Sequence, residues 1–353
     1  MTVGLAFSSA DRVLVTVAHP DDESLSAGGL LQRAAAVGCA VRVAFLTSGE
    51  DNPWAQRVNE RKFRIRAEDR ARFGHRREGE VLAALDALGV ERTCAVFLRF
   101  ADQGTTGAML YGDHRPLAAV ETQLREFEPT VLVGPSIADL HPDHSALAVM
   151  LRLAVARTRL PSGPPRLLEA VVHNPALRGV GEQTARLQLS SAERARKLEA
   201  ILCHRTQMAW RRRWLRSFAA AAEQFLDPEV PAVQPHPVSV DGVEGENLVL
   251  RLRSRPLARA WGRRRLHFLG LGPAGEIRSL CMPVPDIPAR AVVSHLPGGA
   301  TAGEARFRGF AGQGTLELTS REITGWRVGF VKLERHFGFF DEAGWRPLPI
   351  SAT

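Results

Sequence analysis

The stretch Val13-Leu-Val-Thr-Val-Ala-His-Pro-Asp-Asp-Glu23 decides the fold. An apolar run of buried-strand character ends abruptly in one histidine, one proline and three consecutive carboxylates. In open α/β sheets ligands bind outside the carboxyl ends of the strands, so a His and an Asp packed there point to a metal site. His19 and Asp22 stand three residues apart. With Pro20 opening the first helical turn, that spacing turns both side chains toward one point and leaves Asp21 beside it as a free carboxylate.

Far downstream, His141-Pro-Asp-His144 follows a second strand-like run, Thr130-Val-Leu-Val-Gly134. Two histidines and an aspartate at the end of a second strand could complete a zinc site of two His and one carboxylate, with open positions for water and substrate. Taken singly, a His-Pro-Asp is more simply a turn with a capping Asp. Two such clusters, each directly after a strand, favour the metal.

Ala18-His-Pro-Asp-Asp-Glu23 together with His141-Pro-Asp-His144 resembles the zinc-dependent N-acetylglucosaminyl deacetylase family known as PIG-L or LmbE. The resemblance runs from roughly Asp11 to Ala222. It implies a hydrolase that removes an N-acetyl group from an N-acetylglucosamine-containing substrate, giving acetate and a free amine. In that pattern His19, Asp22 and His144 bind Zn2+, one ion per chain, and Asp21 is the base that takes a proton from water. His141 stabilises the oxyanion or protonates the departing amine, and Asp143 orients His141. Glu23 is read instead as an anion at a helix N-terminus. The resemblance also places Arg77, of an Arg-x-x-Glu pair with Glu80, near the sugar. Loop residues Glu50 and Asp102 are candidates for the same pocket. The family carries Asp-Gly where this chain reads Asp102-Gln-Gly104.

The chain has 353 residues, a net charge of +8, and Arg for all its basic residues but Lys62, Lys197 and Lys332. One large and one smaller domain are expected at this length. No apolar run is long enough to span a bilayer and no signal-peptide pattern opens the chain, so a cytoplasmic location without a membrane span is expected. Nucleic-acid binding is not expected, since no zinc finger or aromatic RNA-binding signature accompanies the charge. Cys39, Cys94, Cys203 and Cys281 form no C-x-x-C pair and read as buried thiols.

Alternation of strands and helices from Val13 onward predicts an α/β fold with a doubly wound, mostly parallel Rossmann-like sheet. Gly28 and Gly29 inside the first helix are explained by close packing on the sheet or by a phosphate contact. Arg61 to Leu88 reads as helical but broken at Gly74 and Gly79, and Ser191 to Ala222 as one long helical tract. Trp210-Arg-Arg-Arg-Trp214 suits an interface or an anionic surface. After a proline-rich linker the pattern changes to short strands between Gly and Pro turns, which predicts a smaller C-terminal antiparallel β-sandwich. The expected divisions are 1–226, a zinc deacetylase domain; 227–240, the linker; and 241–353, a β-rich accessory domain. Residues 231–353 hold 16 Arg plus Lys against 11 Asp plus Glu. With Trp210 to Trp214 they suggest an anionic acceptor. His295 and His336 read as isolated.

Two rival readings remain at this stage: a zinc amidase of the same fold cleaving a larger acyl or thiol-conjugate amide, and a sugar-binding or assembly protein with a vestigial metal site. The acceptor, homo-oligomerisation and the choice of zinc or iron are left open.

Overall fold

The computed structural model describes residues 4–177, 184–228, 236–253, 264–311, 313–334 and 340–350. His336 and residues 229–235, half of the proline-rich linker, lie outside them. The chain divides into two compact units: Met1–Thr105, Ala119–Ser136 and Thr158–Pro231 form unit 1, and Thr106–Ala118, Ile137–Arg157 and Ala232–Thr353 form unit 2.

Unit 1 is built on strands β1 (Arg12–Val17), β2 (Ala40–Thr47), β3 (Ala95–Phe100), β4 (Val131–Pro135), β5 (Arg166–Ala170), β6 (Thr184–Gln188) and β7 (Ala222–Leu226), in the order β3-β2-β1-β4-β5-β7-β6. The five strands from β3 to β5 run parallel, and β7 is antiparallel to both β5 and β6. The order reverses at β1, whose neighbours are β2 and β4. This switch point is where an α/β sheet opens a crevice for ligands.

The helices are α1 (Asp22–Ala36), α2 (Pro53–Glu60), α3 (Ala67–Leu88), α4 (Thr105–Leu110), α5 (Arg115–Phe127), α6 (Pro142–Arg157), α7 (Ser191–Cys203) and α8 (Arg205–Arg216). Leu30 and Leu31 of α1, Val81 and Leu85 of α3 and Ala200 of α7 share one core with Val13, Val15, Val43 and Phe45 of the sheet. Side chains alternate along a strand, so Arg12 and Arg42 point to the other face. There both guanidiniums lie over the Phe127 ring of α5, at 4.8 and 4.9 Å. Helices thus cover both faces, as the doubly wound reading requires, and β1 is buried on both sides from Val13 to Val17, with Thr16 its one polar residue there.

Several local expectations change. Asp22, not Pro20, opens α1, with Asp21 at the N-cap. The loop after Ser48 contains α2, because Asn52 accepts the Ala55 N–H at 3.2 Å and Pro53 takes the first helical position. α3 runs unbroken through Gly74 and Gly79, so Arg77 and Glu80 lie mid-helix and buried. The expected tract from Ser191 to Ala222 is two helices, divided at His204, and Ala222 already belongs to β7.

Close packing explains the glycines of α1. A Cβ on Gly29 would meet Leu189 Cδ2 at 2.4 Å, and one on Gly28 would meet Lys197 Cγ at 3.2 Å. The space is taken by a buried ion pair, Lys197 Nζ to Glu223 Oε1 at 2.5 Å. Glu223 also accepts the Gly29 and Leu30 N–H groups, at 2.6 and 2.9 Å.

Unit 2 holds one antiparallel sheet of β8 (Val238–Glu244), β9 (Asn247–Arg253), β10 (Arg265–Leu271), β11 (Ile277–Pro283), β12 (Ala289–Leu296), β13 (Thr301–Phe310), β14 (Gln313–Thr319), β15 (Val328–Glu334) and β16 (Arg346–Pro347), with the short helix α9 (Arg321–Thr324). The order is β16-β15-β10-β11-β12-β13-β14-β9-β8, and β8 comes round to touch β15, so the sheet nearly closes. Leu248, Leu250 and Leu252 alternate inward with Phe268, Phe307, Leu316, Leu318 and Trp326 to fill it. The packed inner faces expected of a sandwich come from a single curled sheet. His295 is not isolated: its Nε2 lies 3.1 Å from a Glu322 oxygen.

Glu223→Ala should destabilise the protein by about 3–5 kcal/mol, because it strands a buried lysine and two backbone donors. Denaturant melts of the intact chain check this. A loss well below about 1 kcal/mol would mean that water reaches Lys197.

Candidate metal and hydrolase site

The chain leaves β1 at Val17 and enters α1 at Asp22 through a tight turn with Asp21 at φ +133°. A non-glycine residue in that region is strained and must be held by its surroundings. The Asp21 N–H donates to Glu23 Oε2 at 3.0 Å, and Glu23 Oε1 accepts from Ser24 Oγ at 2.6 Å. His204 Nε2 lies 3.0 Å from the same Glu23 oxygen. Glu23 therefore does hold the helix start, and His204 holds Glu23. Burial works against a charged His204, but the Glu23 carboxylate overrides it and raises the pKa of the ring.

Arg77 reaches into the turn from α3. Its guanidinium donates to the carbonyls of Gly49, at 2.7 Å, and Pro20, and to Asp21 Oδ1 at 3.2 Å. Gly49 has φ +60°, and a Cβ there would lie 1.9 Å from Arg77 Nη1, so only glycine fits. Arg77 is 3% exposed. Burial pushes the Asp21 carboxyl up to about 6, with Arg77 the largest influence pulling it back down.

His19 sits between two carboxylates. Asp22 Oδ2 accepts the His19 backbone N–H at 2.9 Å and lies 3.4 Å from Nδ1, while Asp102 Oδ1 lies 3.1 Å from Nε2. Asp102 is held in turn by the Asp51 N–H at 2.9 Å, and its own N–H donates to Glu50 Oε1 at 2.9 Å. Burial raises the pKa of Glu50. Two of the expected pocket residues, Glu50 and Asp102, are thus linked to each other and to His19. His173, which the sequence reading did not single out, brings a ring nitrogen within 4.8 Å of an Asp22 oxygen and stacks on Trp214 at 5.2 Å.

In unit 2, Asp143 and His144 lie in the first turn of α6, directly after His141 and Pro142. The His141 and His144 rings stand 4.9 Å apart. The Asp143 N–H donates to His141 Nδ1 at 3.2 Å, so Asp143 orients this ring through its backbone. Asp139, missed in the sequence, accepts the His141 N–H at 2.9 Å and brings Oδ2 to 3.4 Å from His144 Nδ1. The C-terminal segment braces this loop: Asp341 N–H donates to the Leu140 carbonyl at 2.9 Å, Trp345 N–H to the Ile137 carbonyl at 2.8 Å, and Phe340 meets the His141 ring edge-on at 5.8 Å.

Buried imidazoles beside buried carboxylates are the donor chemistry of a divalent metal site. In unit 1 the carboxylates Asp21, Asp22, Glu23 and Asp102 are all at most 9% exposed, with His19 lying beside two of them, Asp22 and Asp102.

Arg77→Met should raise the Asp21 pKa above its present value of about 6, because the largest influence holding it down is removed. Carboxyl-carbon NMR titration reads this. An unchanged value would mean that Arg77 acts on the carbonyls alone.

Residues 14–155 match the PIG-L family model, described as GlcNAc-PI de-N-acetylase. The 1D-myo-inositol 2-acetamido-2-deoxy-alpha-D-glucopyranoside deacetylase of Rhodococcus jostii is 33% identical over 165 residues, covering 42% of this chain and 54% of that protein. The protein of the same name from Mycobacterium avium is 34% identical over 145 residues, covering 38% and 47%. The chain spans about half the length of these curated relatives. Among solved structures, a conserved protein from Thermus thermophilus is 26% identical with a TM-score of 0.47, covering 64% of this chain and 97% of that one. The N,N'-diacetylchitobiose deacetylase of Pyrococcus horikoshii is 18% identical with a TM-score of 0.47, covering 61% and 83%. Both histidine clusters lie inside the matched segment, residues 14–155.

Proposed function

We propose that this chain is a zinc-dependent hydrolase that removes the N-acetyl group from an N-acetylglucosamine-containing substrate, releasing acetate and a free amine. One observation carries the reading: within the segment matched to the family, the two histidine clusters follow β1 and β4, adjacent parallel strands at the switch point of the sheet. The relatives at 33–34% identity are named as deacetylases of a glucosamine-type conjugate, which supports the substrate class.

In this reading His19, Asp22 and His144 hold the metal, a set of two imidazoles and one carboxylate that suits zinc. The bound ion supplies Lewis acidity and lowers the pKa of water to about 7. Asp21 takes the proton of the attacking water. Burial raises its pKa toward that of a useful base, and the contacts of its turn with Arg77 and Glu23 keep it in place. His141 faces the reacting amide. Its Nδ1 accepts the Asp143 N–H, so the neutral ring carries its proton on Nε2 and can donate from there to the developing oxyanion. Asp102 and Glu50 shape the pocket beside His19, and Arg77 acts on the substrate through the turn it holds. An acceptor bearing anionic groups fits the arginine-rich composition.

The purified protein should carry about one zinc per chain, and His144→Ala should lose it. Elemental analysis showing full zinc in that variant would remove His144 from the set. Asp21→Asn should keep the metal while acetate release from a glucosamine conjugate falls by roughly 10²- to 10⁴-fold. Release of zinc from Asp21→Asn would exchange the roles of the two adjacent aspartates.

A further inference from the structure

On unit 1, among residues given no part in the reaction above, a strip of aromatic rings and guanidiniums faces solvent. Trp54 of α2 stacks on Trp210 of α8, with centroids 6.2 Å apart and planes 15° from parallel. Arg57 lies over Trp54 at 5.0 Å and over Phe63 at 5.7 Å, and its Nε donates to the Phe63 carbonyl at 3.1 Å. All three rings are open to water: Trp54 is 58% exposed, Trp210 47% and Phe63 86%. Burying such rings is worth about 1.5–3 kcal/mol each, so leaving three together in water is costly for a monomer surface.

Charge distinguishes what covers this strip. Phe63 lies in the turn Arg61-Lys-Phe-Arg-Ile-Arg66, which alternates basic and apolar residues, and Trp210 is followed by Arg211, Arg212 and Arg213. Arg64, Arg66, Arg212 and Arg213 are exposed and form no ion pair with any described residue. α8 contains no acidic residue. The partner must therefore be anionic as well as apolar. A single large ring projecting from a turn, rimmed by arginines and flanked by tryptophans, is the chemistry of a bilayer interface, where apolar groups enter between head groups and guanidiniums pair with lipid phosphate. Single-stranded nucleic acid is the less fitting partner, because the Trp54 ring is already engaged by Trp210 and Arg57 and is no free stacking platform.

We propose that the α2–α3 turn and the exposed end of α8 form a peripheral docking surface for an anionic lipid bilayer. No helix among the described residues is long and apolar enough to cross a membrane, so binding of this kind is reversible and lies on the surface. The surface is independent of the reaction proposed above.

Flotation of the intact protein with vesicles tests it. Vesicles containing one third phosphatidylglycerol should bind the protein, and pure phosphatidylcholine vesicles should not. Raising salt from about 0.1 M to about 1 M should weaken binding without abolishing it, since only the ionic part is screened. Phe63→Ser should weaken it about tenfold or more, and Arg64→Gln with Arg66→Gln by about 10- to 30-fold. These side chains are solvent-facing, so unchanged far-UV circular dichroism and melting should accompany the loss. Equal binding to both vesicle types, no binding to either, or anionic binding untouched by Phe63→Ser would overturn the proposal. So would tight binding to a single-stranded oligonucleotide with none to anionic vesicles.

Discussion

Buried negative charge is the constraint on which unit 1 depends. Asp21, Asp22, Glu23 and Asp102 are all nearly inaccessible, and an isolated carboxylate in such surroundings costs several kcal/mol unless it is paired or hydrogen-bonded. The chain meets this cost with donors drawn from distant segments: Arg77 from α3 for Asp21, His204 from between α7 and α8 for Glu23, and the Asp51 amide for Asp102. Asp22 takes the His19 amide and faces its ring. Buried carboxylates set beside buried imidazoles give the metal reading a physical basis in this chain. The strained Asp21 backbone is held from two sides, by Glu23, which accepts its N–H, and by Arg77, which donates to its carboxylate.

The doubly wound, mostly parallel architecture and the two histidine clusters were legible because each has a local signature; the strand order, and with it the switch point at β1, was not, since pairing between distant segments sets it. Buried parallel strands read as apolar runs, and a His-Pro-Asp after such a run interrupts the pattern visibly. Most strands of unit 2 were legible for the same reason, through their two-residue alternation. β6, β7, β8, β13 and β16 were not. β13 contains Gly303, Gly309, Arg306 and Arg308, whose composition resembles a turn, and only pairing with β12 and β14 makes it a strand. The division at His204 was hidden as well, since neither glycine nor proline marks it and the partner of the ring, Glu23, lies far away in the chain.

Partnerships within the site were illegible for a different reason. Asp139 stands two residues before a motif that already supplied an aspartate, so nothing marked it. The brace on the His141 loop from the C-terminal segment uses the backbone amides of Asp341 and Trp345, and a backbone donor leaves no trace in side-chain identity. Its consequence reaches beyond local geometry. Elements 340–345 and 137–144 belong to one unit although some 200 residues of chain separate them. A C-terminal sheet whose residues carry no evident chemistry therefore helps to set the position of two histidines.

The stretch His204-Arg-Thr-Gln207 shows how a helix break can organise a site. His204 has φ −76° and ψ +62°, outside helical values, and it ends α7 while capping α8. A continuous helix would send residues 204, 206 and 207 along directions fixed by its own period. The break frees them to reach three different elements. His204 meets Glu23 of α1, and the Thr206 amide and hydroxyl both bind Glu80 of α3, at 2.9 and 2.6 Å. Gln207 accepts from Asn52, the cap of α2, at 3.0 Å, and the Thr206 carbonyl accepts from Asn59 of the same helix at 2.6 Å. α1 carries Asp22, α3 carries Arg77, and the turn before α2 carries Glu50 and Asp51. Three residues that touch no proposed substrate thus register the three elements that build the unit 1 half of the site. A substitution there acts by shifting those elements against one another, so its effect on the site should exceed what its own lost hydrogen bond is worth.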